Sequence, residues 1–396
     1  MKKNILFVTN DLQCDGASKS LLSLLEHIDY EKYEVDLFLF AHKGMFMEMI
    51  PEQVNVLPLS SPLKELTMPV KNSVKNLIYK GYWKLSYRRI KYLINYKLGM
   101  TLASAMQSVW PYYVNQIDEL EKDYDVAISY QDLWAKYFIV EKTKANIKIA
   151  WNHCNLSKLG MDVSFEKKYN KDIDYWITIS EECKKVLDNM FAEMSDKTVV
   201  IENIISPSII REMSTGKAML DNETGQSCIV TVGRLSYEKG IDLALESCGK
   251  LVEEGYNIRW YVVGEGQERG NLEKIIKDKN LQENFMLIGL SPNPYPFIKA
   301  ADIYVQPSRT EGKSIAIEEA KALGKPLVVT NYETVASQVI ENKTGLIASI
   351  DSDGLVTRIK ELLGNPLLAK ELSDNLKNYK GNEKEINKLY NLMEEK

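Results

Sequence analysis

Short apolar runs alternate with longer amphipathic segments along most of the chain. Runs rich in Val, Ile and aromatic side chains, bounded by polar residues or glycine, are typical of buried parallel strands. One group of runs predicts strands at residues 4–8, 34–40, 54–58, 125–130, 147–151, 176–179 and 198–201. A second group predicts strands at 228–232, 259–263, 285–288, 303–306, 327–330 and 345–348. Strands that alternate with helical segments indicate an α/β fold in which each group forms a doubly wound sheet.

The length of the chain and one polar stretch indicate two domains. A chain of 396 residues is longer than one typical domain and can build two full cores. Residues 214–227, between the two groups of strands, are polar, contain two glycines and lack helical or strand periodicity. We therefore place the domain joint near residues 205–207.

Two carboxylates flank a predicted helix start in the second half. The strand ending at 306 would place Glu311 in a turn, and residues 314–323 have the apolar spacing of a helix with one buried face, which carries Glu319 in its second turn. Backbone N–H groups at this helix start would face an anion such as a diphosphate, and they belong to Gly312, Lys313, Ser314 and Ile315. The alternative is that Glu311 caps the helix and Glu319 is a solvated surface acid.

A second motif follows the strand predicted at 228–232. Gly233 ends that strand, and Arg234 and Lys239 then supply two cations close to its carboxyl end. A guanidinium is a planar fork for phosphate oxygens and an ammonium is a mobile point charge. Alone, these are ordinary surface charges; together with Glu311 and Glu319 they predict a binding site for a nucleotide-sugar donor.

The motifs together resemble the retaining glycosyltransferases of family 4, which have the GT-B fold of two Rossmann-like domains facing a central cleft. The matching pieces occur in family order at residues 11–25, 151–156, 174–181, 199–205, 233–240, 263–266, 300–306 and 311–319. The resemblance implies an acceptor-binding domain at 1–205, onto which a C-terminal helix of about 371–396 packs back. It implies a donor-binding domain at 206–370.

The resemblance also implies roles for single residues. His153 follows a strand where the family carries a histidine that hydrogen-bonds the donor sugar. Gly264 and Leu290 would line the nucleotide pocket, and Glu311 would hold sugar hydroxyls. Gly16 stands where relatives often have two adjacent glycines, whereas this chain has Asp15-Gly16, so a plain helix-starting turn remains an alternative. Lys313 replaces an apolar residue or glycine and would either add a third cation for phosphate or point to water.

The reaction implied is transfer of a hexose from a nucleotide-sugar, with UDP as the nucleotide, to a hydroxyl of a lipid-linked or growing glycan. The anomeric configuration would be retained, as in bacterial surface polysaccharide or glycolipid synthesis. Arg234 and Lys239 would stabilise the leaving diphosphate in place of a metal, so neither a metal nor a cofactor is expected. Two alternatives are a non-catalytic partner subunit and a nucleotide-sugar epimerase or hydrolase of the same fold.

A basic, aromatic segment interrupts the first domain. Residues 66–117 contain no Asp or Glu, although the whole chain carries a net charge of −5. Cations and aromatic residues alternate there, and Lys80, Trp83, Lys84, Arg88 and Lys91 have helical spacing. Such a composition is typical of a helix lying on an anionic bilayer, and we expect 71–97 to bind the membrane or the acceptor. A solvated basic face is the plainer alternative; the acidic remainder of the chain and the lack of a nucleic-acid module argue against nucleic acid.

The remaining composition concerns location. The N-terminus lacks the features of a signal peptide, and no apolar stretch has the length of a membrane span. The five cysteines are scattered without the spacing of a disulfide framework or a zinc site. We expect a cytoplasmic protein, peripheral on the inner face of the plasma membrane.

Overall fold

The computed structural model describes residues 2–13, 15–59, 61–66, 68–216, 218, 220 and 225–394. These residues divide into two compact units. Unit 1 contains the residues up to Ile204 together with those from Glu383 onward, and unit 2 runs from Ile205 to Asn382. Cys14 and part of the polar stretch predicted at 214–227 lie outside the described residues.

Unit 1 is built on parallel strands, which are β1 (Lys3–Thr9), β2 (Tyr33–Leu39), β3 (Val54–Val56), β4 (Asp123–Ser129), β5 (Lys144–Asn152), β6 (Tyr175–Thr178) and β7 (Thr198–Val200). The helices between them are α1 (Gly16–Glu26), α2 (Ser61–Leu66), α3 (Val70–Tyr79), α4 (Trp83–Lys97), α5 (Leu102–Tyr113), α6 (Trp134–Glu141), α7 (Val163–Asn170) and α8 (Glu181–Met190). The strand order is β3-β2-β1-β4-β5-β6-β7, so the chain reverses direction across the sheet between β1 and β4.

Both faces of this sheet are covered. Successive residues of a strand point to opposite faces, and Leu6 and Val8 of β1 lie in one buried cluster whereas Ile5 and Phe7 lie in the other. Each of the seven strands predicted for the first domain is present, with bounds that differ by a few residues.

Unit 2 repeats the arrangement with β8 (Ser227–Val232), β9 (Ile258–Val263), β10 (Phe285–Gly289), β11 (Ile303–Gln306), β12 (Leu327–Thr330) and β13 (Leu346–Ala348). Its helices are α9 (Pro207–Met213), α10 (Ile241–Glu253), α11 (Arg269–Asp278), α12 (Tyr295–Ala300), α13 (Ile315–Ala322), α14 (Ser352–Gly364) and α15 (Pro366–Leu376). The order is β10-β9-β8-β11-β12-β13, so the direction reverses between β8 and β11. Open sheets of this kind bind ligands beyond the carboxyl ends of the strands at that reversal.

The C-terminal helix predicted from 371 is two helices in the structure. The first, α15, buries Leu372 and Leu376, and Leu372 lies in the core of unit 2. After a turn at Gly381, whose φ is +67°, the last helix α16 (Ile386–Glu394) begins. It buries Leu389 and Met393 in the core of unit 1. The segment that returns to unit 1 is therefore shorter than 371–396, because the apolar face of α15 is used by unit 2.

Candidate active site

The carboxyl ends of β8 and β11 meet at the reversal point of unit 2. The loop after β8 runs from Gly233 to Gly240, and the loop after β11 runs from Pro307 to Ser314. Gly240 has a φ of +65°, and a Cβ there would lie 2.0 Å from the carbonyl oxygen of Pro307. The two loops approach so closely that only glycine fits at this position.

Lys239 and Glu311 join these loops by an ion pair. The Lys239 Nζ lies 2.7 Å from both carboxylate oxygens of Glu311. The side chains are 19% and 8% exposed, so the pair is largely shielded from water. Ser308 Oγ donates to Glu311 Oε1 at 2.7 Å, and Gln306 Nε2 donates to the same oxygen at 3.2 Å. The carboxylate is thereby fixed in orientation beside a cation.

Glu311 does not cap the helix that follows. Ser314, the residue before α13, donates its backbone N–H to Gln338 Oε1 at 2.8 Å, and Gln338 Nε2 returns a bond to the Ser314 carbonyl. The capping alternative for Glu311 is therefore wrong. The prediction that the Ser314 N–H faces an anion is wrong as well, because Gln338 occupies that group.

Glu319 is not a surface acid either. It is 1% exposed, and the Tyr295 hydroxyl donates to its Oε1 at 3.2 Å. Ile315 begins α13 beside this position, and Gly312 and Lys313 lie between Glu311 and the helix, partly exposed. The structure thus places the predicted residues 311–319 along one loop and helix, with one carboxylate at each end.

A guanidinium that the sequence prediction missed also connects the loops. Arg309 forms two bonds to the carboxylate of Asp242, at 2.7 and 2.6 Å, and its backbone N–H donates to the Glu238 carbonyl. Its guanidinium carbon lies 4.1 Å from the centre of the Tyr237 ring. An arginine two positions before Glu311 was the available signal. Its partner could not be found by spacing, because Asp242 is 67 positions away.

The remaining predicted donor residues lie around the same edge. Arg234 is 68% exposed, with its Nη2 3.3 Å from Glu238 Oε1. A Cβ on Gly264 would lie 1.9 Å from the Gly233 carbonyl oxygen, so the loop after β9 packs against the end of β8. Leu290, just after β10, is 48% exposed.

In unit 1, His153 lies beyond the end of β5. Its ring packs 4.5 Å from the Tyr130 ring and 5.9 Å from that of Trp151, measured between centres. Both ring nitrogens are shielded from water, and within the described residues neither has a hydrogen-bond partner of good geometry. Burial lowers the pKa of His153 to about 4, although Asn203 and the Tyr130 backbone lie close enough to oppose the shift. The imidazole is therefore neutral at physiological pH.

The loop at Gly16 forms a helix-starting turn. The Asp15 carboxylate accepts a hydrogen bond from the Ser18 backbone N–H at 2.9 Å and caps α1. Burial raises the pKa of Asp15, with a further contribution from the charge of Asp11. Because an acidic cap occupies the positive end of this helix, the loop is poorly suited to contact a phosphate directly.

The basic segment forms several helices rather than one. Lys80 follows α3, and Gly81, with a φ of +82°, separates it from α4. Lys80 pairs with Glu65 at 2.6 Å, which lowers the pKa of that carboxyl. Lys84, Arg88 and Lys91 do share α4. The predicted helical series therefore begins at Lys84, and the charge of Lys80 is partly offset.

Exposed apolar side chains surround these cations. They include Tyr79 at 90%, Trp83 at 68%, Tyr87 at 61%, Ile94 at 50%, Tyr96 at 52% and Leu98 at 81% exposure. The guanidinium carbon of Arg88 lies 3.3 Å from the centre of the Tyr112 ring, which ties α4 to α5. No helix among the described residues has the length and apolar character that a bilayer crossing requires.

The sequence and the fold were compared with known proteins. Residues 216–380 match the family model described as glycosyl transferases group 1. An uncharacterized glycosyltransferase of Methanocaldococcus jannaschii is 25% identical over 47% of this chain and 46% of its own length. The poly(ribitol-phosphate) alpha-N-acetylglucosaminyltransferase of Staphylococcus aureus is 30% identical over 35% of this chain and 29% of its own. The chain thus spans about half the length, or less, of these curated relatives.

Solved structures match over almost the whole chain. The Anabaena protein HepE, in complex with UDP-glucose, has a TM-score of 0.70 at 14% identity and covers 98% of both chains. The S. aureus protein TarM in complex with fondaparinux, alpha-GlcNAc-glycerol and UDP has a TM-score of 0.67 at 16% identity, covering 99% of this chain and 100% of its own. The chain therefore has the two-domain α/β fold of the GT-B glycosyltransferases, and its residues 216–380 match the group 1 glycosyltransferase family.

Proposed function

We propose that this protein is a retaining glycosyltransferase of family 4. It transfers a hexose from a UDP-sugar to a hydroxyl of a lipid-linked or growing glycan, in the synthesis of a surface polysaccharide or glycolipid. The observation that carries the proposal is the Lys239–Glu311 pair at the reversal point of unit 2, within the residues that match the group 1 family. The solved complexes of HepE and TarM, which contain UDP or UDP-glucose, support the choice of nucleotide.

The donor diphosphate would bind to cations rather than to a metal. Glu311 holds the Lys239 ammonium at the carboxyl end of β8, and Arg234 lies exposed beside the same loop. Cations held in place before reaction stabilise charge as it develops on the leaving group, without reorganisation. No group of three His, Cys, Asp or Glu side chains that could hold a metal occurs among the described residues. Metal-independent catalysis is accordingly part of the proposal.

The sugar and ribose would be held by neutral or acidic acceptors. Glu319, buried at the second turn of α13, would accept hydrogen bonds from ribose hydroxyls. Glu311 would hold hydroxyls of the sugar. A neutral His153 has one N–H donor and one acceptor nitrogen, so it can bind a sugar hydroxyl in either direction.

Retention would follow from attack on the face of the leaving group. The bond from the anomeric carbon to the phosphate oxygen breaks while the acceptor oxygen forms a bond on the same face. The proton of the acceptor hydroxyl passes to the departing phosphate oxygen. Glu311 is engaged by Lys239 and Ser308, which suits a binding role better than nucleophilic attack.

The test is a donor screen without added metal and with a chelator present. UDP, GDP and ADP and their hexose conjugates are compared by thermal shift and by nucleotide release, and the anomeric configuration of the product is read by NMR. We expect stabilisation by UDP and slow release of UDP from one hexose conjugate. Binding without turnover would favour the non-catalytic subunit. A free sugar or an isomerised donor as the main product would favour the hydrolase or epimerase, and no binding would overturn the proposal.

We further propose that α4 lies on an anionic membrane surface where the acceptor is embedded. Each cation near such a surface contributes about 1 kcal/mol, and exposed aromatic residues insert at the boundary between headgroups and acyl chains. Lys84 and Lys91 supply charge, and Trp83 supplies an apolar anchor that is 68% exposed. This would place the enzyme on the cytoplasmic face of the plasma membrane.

A further inference from the structure

Asp132 lies at the reversal point of unit 1, where no site residue was predicted. It follows the end of β4 by three positions, on the edge of the sheet that His153 also occupies. Asn152, the last residue of β5, donates through its Nδ2 to both carboxylate oxygens of Asp132, at 3.1 and 3.0 Å. Ligands bind at this end of such sheets.

The backbone beside Asp132 is strained. Leu133 has a φ of 63° and a ψ of −114°, a conformation that residues with a side chain rarely adopt. Its side chain is buried, so packing in the core holds the residue in place. Strain of this kind persists where the surrounding structure requires it, and it is found preferentially at functional sites.

The carboxylate is not used to stabilise the fold in the usual ways. It does not cap α6, whose first turn receives no side-chain hydrogen bond. The nearby cation, Lys136, is buried and pairs with Glu166, and it donates to Asn170 at 3.0 Å. No described Lys or Arg forms an ion pair with Asp132. A carboxylate offers about four acceptor positions, and the bonds from Asn152 and Cys154 leave some of them open.

Its surroundings decide what it can bind. Burial raises the pKa of Asp132 to about 6, and the charge of Glu166 adds to the shift, whereas Asn152, Lys136 and Cys154 oppose it. The residue nevertheless keeps part of its surface exposed. A negatively charged acceptor repels phosphate, and the described residues place no cluster of metal ligands here. A hydroxyl donor is the group that fits.

We infer that Asp132 binds a sugar hydroxyl and is a further substrate-binding residue of the transfer site. The inference rests on the proposed function. The hydroxyl belongs either to the donor hexose or to the acceptor, and both present the same chemistry. Asn152 fixes the direction of the carboxylate, and the neutral His153 next to it would bind a second hydroxyl.

The test compares Asp132→Asn with the wild type in three assays on the full chain. These are UDP affinity by calorimetry, hydrolysis of the UDP-hexose found in the donor screen, and transfer to n-octyl glycosides. We expect UDP affinity within about twofold of wild type and turnover lower by at least about 50-fold, because a lost hydrogen bond to a charged group has an effect of this size. Loss in hydrolysis and transfer together assigns the donor sugar, and loss in transfer alone assigns the acceptor.

Asp172→Asn, which alters an exposed carboxylate in the same unit, is the matched control and should behave as wild type. Should Asp132→Asn fail to fold, Asp132→Ser replaces it. Turnover within threefold of wild type in every reaction that the wild type performs would overturn the inference. So would a fall of UDP affinity in step with turnover. A wild-type protein that neither binds nor turns over any nucleotide-sugar would overturn the proposed function, and the inference with it.

Discussion

At the scale of single residues, Lys239 provides the sharpest test of the donor site. If its ammonium stabilises charge that develops on the diphosphate, Lys239→Met should lower kcat by about 100-fold and change the donor KM by less than about threefold. Steady-state kinetics with the UDP-hexose identified in the screen would measure both constants. Lys343→Met, at an exposed site of the same unit, is the control. Equal losses in kcat and in donor affinity would contradict a role in the transition state.

Asp132 gives a prediction about stability and pH. Its pKa of about 6 in the folded state lies above its ordinary 3.8, so its stabilising contribution is complete below about pH 4 and is lost as the pH rises through 6. The loss amounts to about 3 kcal/mol. Asp132→Asn should therefore raise the free energy of unfolding at pH 8 and change it little at pH 4, as measured by urea denaturation.

The comparison with Asp132→Asn is needed because His153 titrates in the opposite sense. Its pKa is lowered from 6.5 to about 4, so its contribution is present above pH 6.5 and is lost as the pH falls towards 4. The two effects partly cancel in the wild type. An Asp132→Asn variant that is equally destabilised at both pH values would show that the carboxylate is a structural group.

At the scale of elements, the two loops at the carboxyl ends of β8 and β11 depend on Gly240. An alanine there would place its Cβ 2.0 Å from the Pro307 carbonyl oxygen in a left-handed conformation. We expect Gly240→Ala to lower the free energy of unfolding by about 1–3 kcal/mol and to separate Lys239 from Glu311, so that turnover falls as well. Thermal unfolding and kinetics on one sample would measure both. Gly255→Ala, at another left-handed glycine with no atom near its Cβ, is the matched control and should reduce stability only.

The helix α4 carries the prediction for the membrane. A Lys84→Glu/Lys91→Glu double variant should weaken sedimentation with vesicles containing anionic phosphatidylglycerol by at least about tenfold, because it reverses two cations that each contribute about 1 kcal/mol. Trp83→Ser should weaken it further at high salt, where the apolar contribution remains. Lys274→Glu/Lys277→Glu, on α11 of unit 2, is the matched charge control. Equal binding of the α4 variant and the control would indicate a solvated basic face.

The sequence predicted elements better than it predicted contacts between them. Strands such as β11 and β12 have the predicted bounds, because buried parallel strands are continuous apolar runs. The helix predicted to start at 371 was wrong because the apolar spacing of α15 continues towards α16, and the choice of unit is tertiary information. The same limit applies to the site. Lys239 and Glu311 were found in local motifs, whereas Gln338, Tyr295 and Asp242 contact that region from distant parts of the chain.

At the scale of the whole molecule, the chain leaves unit 1 after Ile204, builds unit 2, and returns at Glu383. The return is fixed where the two passages meet, since the Ile205 N–H donates to Asn382 Oδ1 at 2.8 Å and a Cβ on Gly381 would lie 2.2 Å from the Ile205 carbonyl oxygen. Unit 1 is consequently discontinuous in sequence. Its core is complete only after the last residues have been synthesised, whereas unit 2 is one continuous segment.

Deleting residues 383–396 should therefore destabilise one unit selectively. The deletion removes Ile386, Leu389, Leu392 and Met393 from the core of unit 1, and each buried side chain of this kind contributes about 1.5–3 kcal/mol. Calorimetry should show a transition of unit 1 at a markedly lower temperature, while the transition of unit 2 still shifts upward with UDP because the Lys239–Glu311 site is intact. Leu389→Ala, which leaves the chain at full length, should shift the same transition by a smaller amount. A loss of UDP binding in the deleted protein would contradict both the independence of unit 2 and the assignment of the nucleotide to it.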